Sequence, residues 1–322
     1  MNNNKPTIRD NKTIKNNLKT IKRDKVLYIF VGLLITSYIL WHYLPLYGLL
    51  IAFKDYEAIK GVWGSEFVGG AHFQNLIFGN FSELFWRAFR NTFVISIYGL
   101  IFGFPIPILI AIFFNEIGSK IYRKITQTIM YLPHFISEVT IIGLVTFMLY
   151  KSSTSTGFLA QILYSLKIVP EGIKVLDSPQ YFKPLYIITG IWKETGYSSI
   201  VYFSAIISIS PTLYEAIKID GGNKIQELRY VTLPHLSSLI TIMLIMRIGR
   251  LLNVGYERVI LLYNRYTYET ADIINSFVHR VGLLQGNHSL GTAASMFNSV
   301  IGFALVIGAN TIARKISKNS LW

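Results

Sequence analysis

Eight ionisable side chains sit inside long apolar stretches of this sequence: Arg90, Glu138, Lys193, Glu194, Arg247, Arg250, Glu257 and Arg258. A charge in such surroundings is costly and by default marks a ligand pathway or an internal pair. Arg90 lies near the end of its stretch and can snorkel outward. Two clusters are richer. One holds Trp192, Lys193, Glu194 and Tyr197; the other holds Asn253, Gly255, Tyr256 and Glu257. Arg247 and Arg250 are one helical turn apart and share a face. Their chemistry suits an acidic ligand, and equally a pairing with Glu138 or with a partner subunit. For the two clusters the alternative is inter-subunit packing and internal ion pairs, such as Lys193 with Glu257.

A different kind of signal occupies the polar segment from Tyr214 to Leu236, between two apolar runs. It contains Glu215-Ala216, then Asp220-Gly221-Gly222, then Val231, Leu233 and Pro234. Ser210, Pro211 and Thr212 read as a helix start, because a proline in the first turn lacks only an N–H that would be unpaired there. Leu213, Ala216 and Ile217 share one face by the i, i+3, i+4 rule, giving a small apolar ridge. Gly221-Gly222 permits a sharply turned backbone. The expectation is two short helices, the second over roughly 224–232, joined at a glycine hinge.

The elements that must position these groups follow from composition. Only 15% of the 322 residues are charged and 52% are hydrophobic, whereas a soluble domain carries about 25% charge. Six apolar runs, 26–52, 88–114, 125–150, 184–209, 236–262 and 291–313, each exceed the roughly 20 residues that cross a hydrocarbon core. Lipid cannot satisfy exposed backbone groups, so the spans must be helical. The expected fold is an all-α membrane protein of six transmembrane helices, with a basic arm at 1–25 and a six-span domain at 26–322. Pro105 and Pro107 in the second run and Pro133 in the third predict kinks; Asn253-Val254-Gly255 predicts an interruption in the fifth, tolerated at membrane depth where it lines a cavity.

Charge sets the orientation. The segments 1–25, 115–124, 210–235 and 314–322 hold 17 Lys/Arg, against 9 in the longer segments 53–87, 151–183 and 263–290. Basic residues favour the cytosolic side, so the N- and C-termini are expected inside, with 210–236 in the cytosol. The same distribution, hugging the ends of apolar runs, explains the +14 net charge without nucleic acid. The absence of cysteine excludes disulfides and thiolate chemistry. No G-x-x-x-x-G-K-[ST], H-E-x-x-H or G-x-S-x-G occurs, and the six histidines lack ligand spacing. An ATPase and a membrane enzyme are therefore disfavoured. An ion-coupled secondary transporter is the alternative, yet the halves show no convincing internal repeat of the kind such proteins carry.

The spacing Glu215-Ala216-x4-Gly221-x9-Val231-x-Leu233-Pro234 resembles the EAA motif of ABC importer permeases, E-A-A-x3-G-x9-I-x-L-P, with Ile217 and Val231 as departures. Tyr43 to Tyr56, Ile191-Trp192-Lys193-Glu194, Val254-Gly255-Tyr256-Glu257, Tyr268-Glu269-Thr270-Ala271-Asp272 and Gly291-Thr292-Ala293-Ala294 resemble the oligosaccharide and polysaccharide (alginate-type) branch of carbohydrate uptake transporter family 1. The resemblance implies a multi-pass subunit of the bacterial cytoplasmic membrane that moves a glycan and has no enzymatic activity of its own. It implies four kinds of partner: a second homologous permease, two ATP-binding-cassette ATPase subunits that bind ATP and Mg, an extracytoplasmic sugar-binding protein, and the glycan. It makes Glu215, Ala216, Asp220 and Gly221 the ATPase-coupling residues. Sugars are held by aromatic faces and planar hydrogen-bonding groups, so Glu194, Tyr197, Asn253, Tyr256, Trp192 and Gly255 become candidate pathway contacts.

Overall fold

The computed structural model describes residues 23–317. The basic arm therefore lies outside the described residues except for Arg23, Asp24 and Lys25. The described chain is mostly helical. Helix α1 (Lys25–Tyr38) runs on through a π turn (Ile39–Tyr43) and a 3-10 stretch (Leu44–Phe53) containing Pro45. A two-stranded hairpin follows, with β1 (Lys54–Asp55) antiparallel to β2 (Glu66–Phe67). Then come α2 (Ala71–Phe78), α3 (Ser82–Gly103), α4 (Pro105–Glu116), α5 (Lys120–Tyr131), α6 (Glu138–Leu149) and α7 (Phe158–Ser165). The second half contains α8 (Pro179–Ile207), α9 (Pro211–Ile219), α10 (Lys224–Glu227), α11 (Leu233–Gly249), α12 (Tyr256–Leu262) and α13 (His288–Ser317).

Four helical stretches are long and apolar enough to cross a membrane: Lys25–Phe53, Ser82–Glu116, Lys224–Gly249 and His288–Lys315. Two more pass as bent pairs, α5 with α6 at 99° and α8 with α9 at 68°. The described residues thus hold four to six candidate spans, where the apolar runs alone predicted six. The third run departs most. It is two helices nearly at right angles, because Pro133 tightens the backbone at Leu132–Phe135 and Ser137 then opens a new helix, its Oγ accepting the Thr140 amide at 3.2 Å. A serine that satisfies one of the orphan first-turn amides starts a helix in a new direction.

The fifth run, expected over 236–262, also differs. Its helix begins upstream at Lys224, passes a π turn at Leu228–Thr232 just before Pro234, and ends at Gly249. Proline has no N–H and its ring crowds the carbonyl four residues back; the wide turn accommodates this without ending the helix. Beyond Gly249 the backbone is irregular to Gly255, and α12 is separate, so the predicted interruption at Asn253-Val254-Gly255 is present.

Packing explains the remaining shape. None of the apolar window of the first span is buried within this chain; only its far end packs, with Ala52 in a cluster that includes Leu76, Phe85, Phe277 and Leu290. Ile108, Ala111, Tyr202, Ile206 and Leu236 join α4, α8 and α11. Where α8 crosses α5, a side chain at Gly196 would meet the Met130 carbonyl backbone, so only glycine permits that approach.

Candidate functional site

Between α3, α4, α8, α11 and the irregular segment lies a cavity of about 630 Å³. Each wall has a local reason. Gly99 and Gly103 withhold side chains from α3, and nothing lies within 4 Å of the place a Gly99 Cβ would occupy. Phe104 marks the break before Pro105, where α3 gives way to α4. From α8 come Tyr186, Glu194, Tyr197 and Tyr202, and from α11 Arg247. Arg250, Asn253 and Gly255 project from the interrupted stretch and Arg258 from α12.

Four of the six candidate contacts, Glu194, Tyr197, Asn253 and Gly255, line this cavity. Trp192 and Tyr256 do not: Trp192 is exposed off the wall, and the Tyr256 ring packs on His279 with centroids 5.2 Å apart. His134, dismissed in the sequence as a scattered histidine, is tied directly to the wall. Its ring stacks on Tyr197 at 3.9 Å and its Nδ1 lies 3.0 Å from Glu194 Oε2. Only the fold, by bending the chain after Pro133, brings it there.

The ion pairs are not those expected. Lys193 donates to Glu138 Oε2 at 2.6 Å rather than meeting Glu257, and Arg258 pairs with the other oxygen of Glu138. One carboxylate on α6 therefore holds cations from α8 and α12. Glu138 is fully engaged, and among the described residues no carboxylate pairs with Arg247 or Arg250, both exposed to the cavity. With Arg258 also present and Glu194 the one acid on the wall, the cavity is basic.

The backbone carbonyls released by the interruption are satisfied by side chains from elsewhere, as buried carbonyls must be. Ser96 donates to Leu251, Asn298 to Leu252 at 3.4 Å, Asn275 to Val254 at 3.2 Å and Tyr186 to Gly255 at 3.3 Å.

The Tyr214–Leu236 segment is a second, separate site. Helix α9 ends at Ile219 with Asp220 as its cap, and Gly221 takes φ +77°. The Gly221 amide donates to Lys218 O at 3.1 Å and the Gly222 amide to Ile217 O at 2.8 Å, the paired bonds of a Schellman cap. The expected glycine hinge is thus a fixed corner. Tyr214 Oη and Thr232 Oγ1, 3.1 Å apart, close it from the other side. Glu215 and Ala216 are exposed. Of the predicted ridge, Leu213 and Ala216 face outward while Ile217 is half-buried; Ile219 and Ile225 supply exposed apolar surface instead, at 85% and 74%. Gly222→Ala is expected to distort the corner, because the added carbon meets Ile217 Cγ2 and lies 2.8 Å from its carbonyl oxygen. Overpacking of this kind costs about 1–3 kcal/mol, and proteolysis between 219 and 224 in the purified protein should read it.

A family model described as "Binding-protein-dependent transport system inner membrane component" matches residues 103–256, which contain the Tyr214–Leu236 segment and most of the cavity lining. Protein LplB of Bacillus subtilis (strain 168) is 36% identical over 305 residues, 95% of this chain and 93% of its own. The chain belongs to this permease family. It is the permease component of a binding-protein-dependent sugar ABC importer, an inner-membrane protein and not itself an enzyme, which sets aside the ion-coupled alternative. The polygalacturonan/rhamnogalacturonan transport system permease protein YteP of the same organism is 36% identical over 93% of this chain and 91% of its own. A chain in the crystal structure of a bacterial ABC transporter involved in import of the acidic polysaccharide alginate superposes with a TM-score of 0.83. It is 40% identical, with 94% of this permease and 99% of that chain covered. A second structure, of an alginate transporter in complex with an alginate pentasaccharide-bound periplasmic protein, also scores 0.83.

Proposed function

We propose that this permease forms half of a translocation pathway for an acidic, uronate-containing glycan. The observation that carries the proposal is the pair Arg247 and Arg250, exposed to the cavity with no carboxylate partner among the described residues. Guanidinium groups bind carboxylates through two parallel hydrogen bonds, and a pathway for neutral sugar has no need of such unpaired charge. Alginate and polygalacturonan, for which these relatives are named, are acidic and support the same reading. Tyr197, stacked on His134, offers an aromatic face to a sugar ring; Glu194, Asn253 and the Gly255 backbone offer hydrogen bonds. Trp192 and Tyr256 lie off the pathway, Tyr256 against His279.

In this reading the six runs are six spans with both termini inside. The other half of the pathway is a second homologous permease, and an extracytoplasmic binding protein delivers the glycan. Two ATPase subunits hold ATP and Mg, and receive α9 through Glu215, Ala216, Asp220 and Gly221. Nucleic acid has no place in it.

The test uses the full importer in proteoliposomes, with uronate oligosaccharides and their methyl esters as paired substrates. Esterification removes the charge while keeping size and hydroxyls. With binding-protein affinity measured separately for each, uptake of the ester should be about tenfold lower, as expected for loss of a charged hydrogen bond. Equal uptake of both would refute the acidic-glycan reading. Glu215→Lys should abolish co-purification of the ATPase subunits; retained association would refute the coupling assignment.

A further inference from the structure

The coupling segment is tied not only to its own flanking helices but also to the end of the second span. Lys224 Nζ lies 2.9 Å from Glu227 Oε2 and 3.0 Å from Glu116 Oε2, the last residue of α4. We propose that Glu116 is a positioning residue for coupling, through which movement of α9 and α10 is delivered to α4. The proposal rests on the coupling role of this segment given above.

An exposed lysine–glutamate pair by itself contributes little, and Lys224 and Glu116 are both substantially exposed. Glu227 changes the balance. Its side chain is only 6% exposed, and a buried carboxylate stripped of its partner is strongly destabilising. Lys224 is its close partner, with Lys218 at 3.9 Å behind. Both carboxylates hold the Lys224 ammonium, Glu227 at 2.9 Å and Glu116 at 3.0 Å. Lys224 is therefore held in place, and Glu116 meets a fixed cation rather than a wandering one.

The mounting of that cation is rigid. Asn223 Oδ1 accepts the Ile225 and Gln226 amides, each at 3.0 Å, and Gln226 Oε1 accepts the Asn223 amide at 2.7 Å. This reciprocal capping box fixes α10 to the Gly221 corner. On the receiving side, α4 packs through Ile108 and Ala111 on α8 and α11, and its first residues reach the cavity at Pro107. A push on α9 thus has a route to the cavity wall through α4, beside those through the helices that flank the segment.

The sequence has no cysteine, which permits a clean chemical test in the assembled importer. Glycan moved per ATP hydrolysed is measured for Glu116→Gln and for Glu116→Cys before and after methanethiosulfonate labelling, beside unsubstituted importer treated alike. Glu116→Gln should keep its ATPase subunits and basal hydrolysis but lose coupling roughly two- to fivefold, the range such a pair spans. An anionic sulfonatoethyl adduct on Glu116→Cys should restore coupling and a cationic aminoethyl adduct should not. Unchanged coupling in Glu116→Gln, or equal effects of the two adducts, would overturn the proposal. Glu215→Lys in the same assay separates the layers: if it retains its ATPase subunits, the coupling assignment itself fails. If it loses them while Glu116→Gln stays fully coupled, only the role of Glu116 fails.

Discussion

Replacing Glu138 by alanine should cost this permease about 3–5 kcal/mol, the toll of breaking a buried ion pair by removing one partner. Glu138, Lys193 and Arg258 are all nearly buried, with side-chain exposures of 11%, 12% and 14%. Without the carboxylate, two cations from α8 and α12 face each other in a poorly solvated space. Glu138 also opens α6 directly after the 99° bend, so its loss frees that half of the broken run. The measurement is the melting midpoint of the solubilised permease. Glu138→Gln should be nearly as damaging, since it keeps the volume but not the charge. Adding Lys193→Met to Glu138→Gln should recover part of the loss by removing one of the stranded cations. A midpoint unmoved by Glu138→Ala would show that the triad does not hold these helices together.

The second large effect concerns substrate. Arg247→Gln and Arg250→Gln should each lower uptake of uronate oligosaccharides about tenfold, because a hydrogen bond to a charged group contributes about 1.5–3 kcal/mol. Neutral glycans of the same length should pass at unchanged rates. Neither arginine holds a structural ion pair with a described residue, so neither variant should lower the melting midpoint, in contrast to Glu138→Ala. Raising the salt concentration should erode the preference in the unsubstituted permease, since charges in a water-filled cavity are screened. An equal loss for acidic and neutral glycans would mean that the arginines shape the cavity rather than read charge.

Much of this was legible in the residues, for identifiable reasons. Apolar runs report where helices lie, and the spacing Glu215-x5-Gly221 located a corner whose left-handed residue must be glycine. The interruption at Asn253-Val254-Gly255 was visible because those residues disfavour a continuing helix. Direction was not visible. Hydropathy carries no angle, so the kink expected at Pro133 gave no measure of the 99° turn before Glu138, although Ser137 ahead of an acidic first turn is a recognisable helix start. Partner choice was equally hidden: Lys193 lies close in sequence to no acid but Glu194, and its match to Glu138 depends on the bend. His134 reaches the cavity for the same reason. Nothing in the sequence singles out Glu227, and only its burial reveals that it governs Lys224.

The interruption after Gly249 has a kinematic consequence. Its four freed carbonyls are held by Ser96, Tyr186, Asn275 and Asn298, from α3, α8, the 274–277 turn and α13. Four side chains from separate elements thus tie the segment to its neighbours, so these parts travel together as one frame. Opening and closing of the cavity has to be absorbed outside that frame. The nearest available joint is Phe104, after Ser96 and before two prolines that lack backbone donors. There α3, held to the frame through Ser96, parts from α4, which packs on α8 and α11.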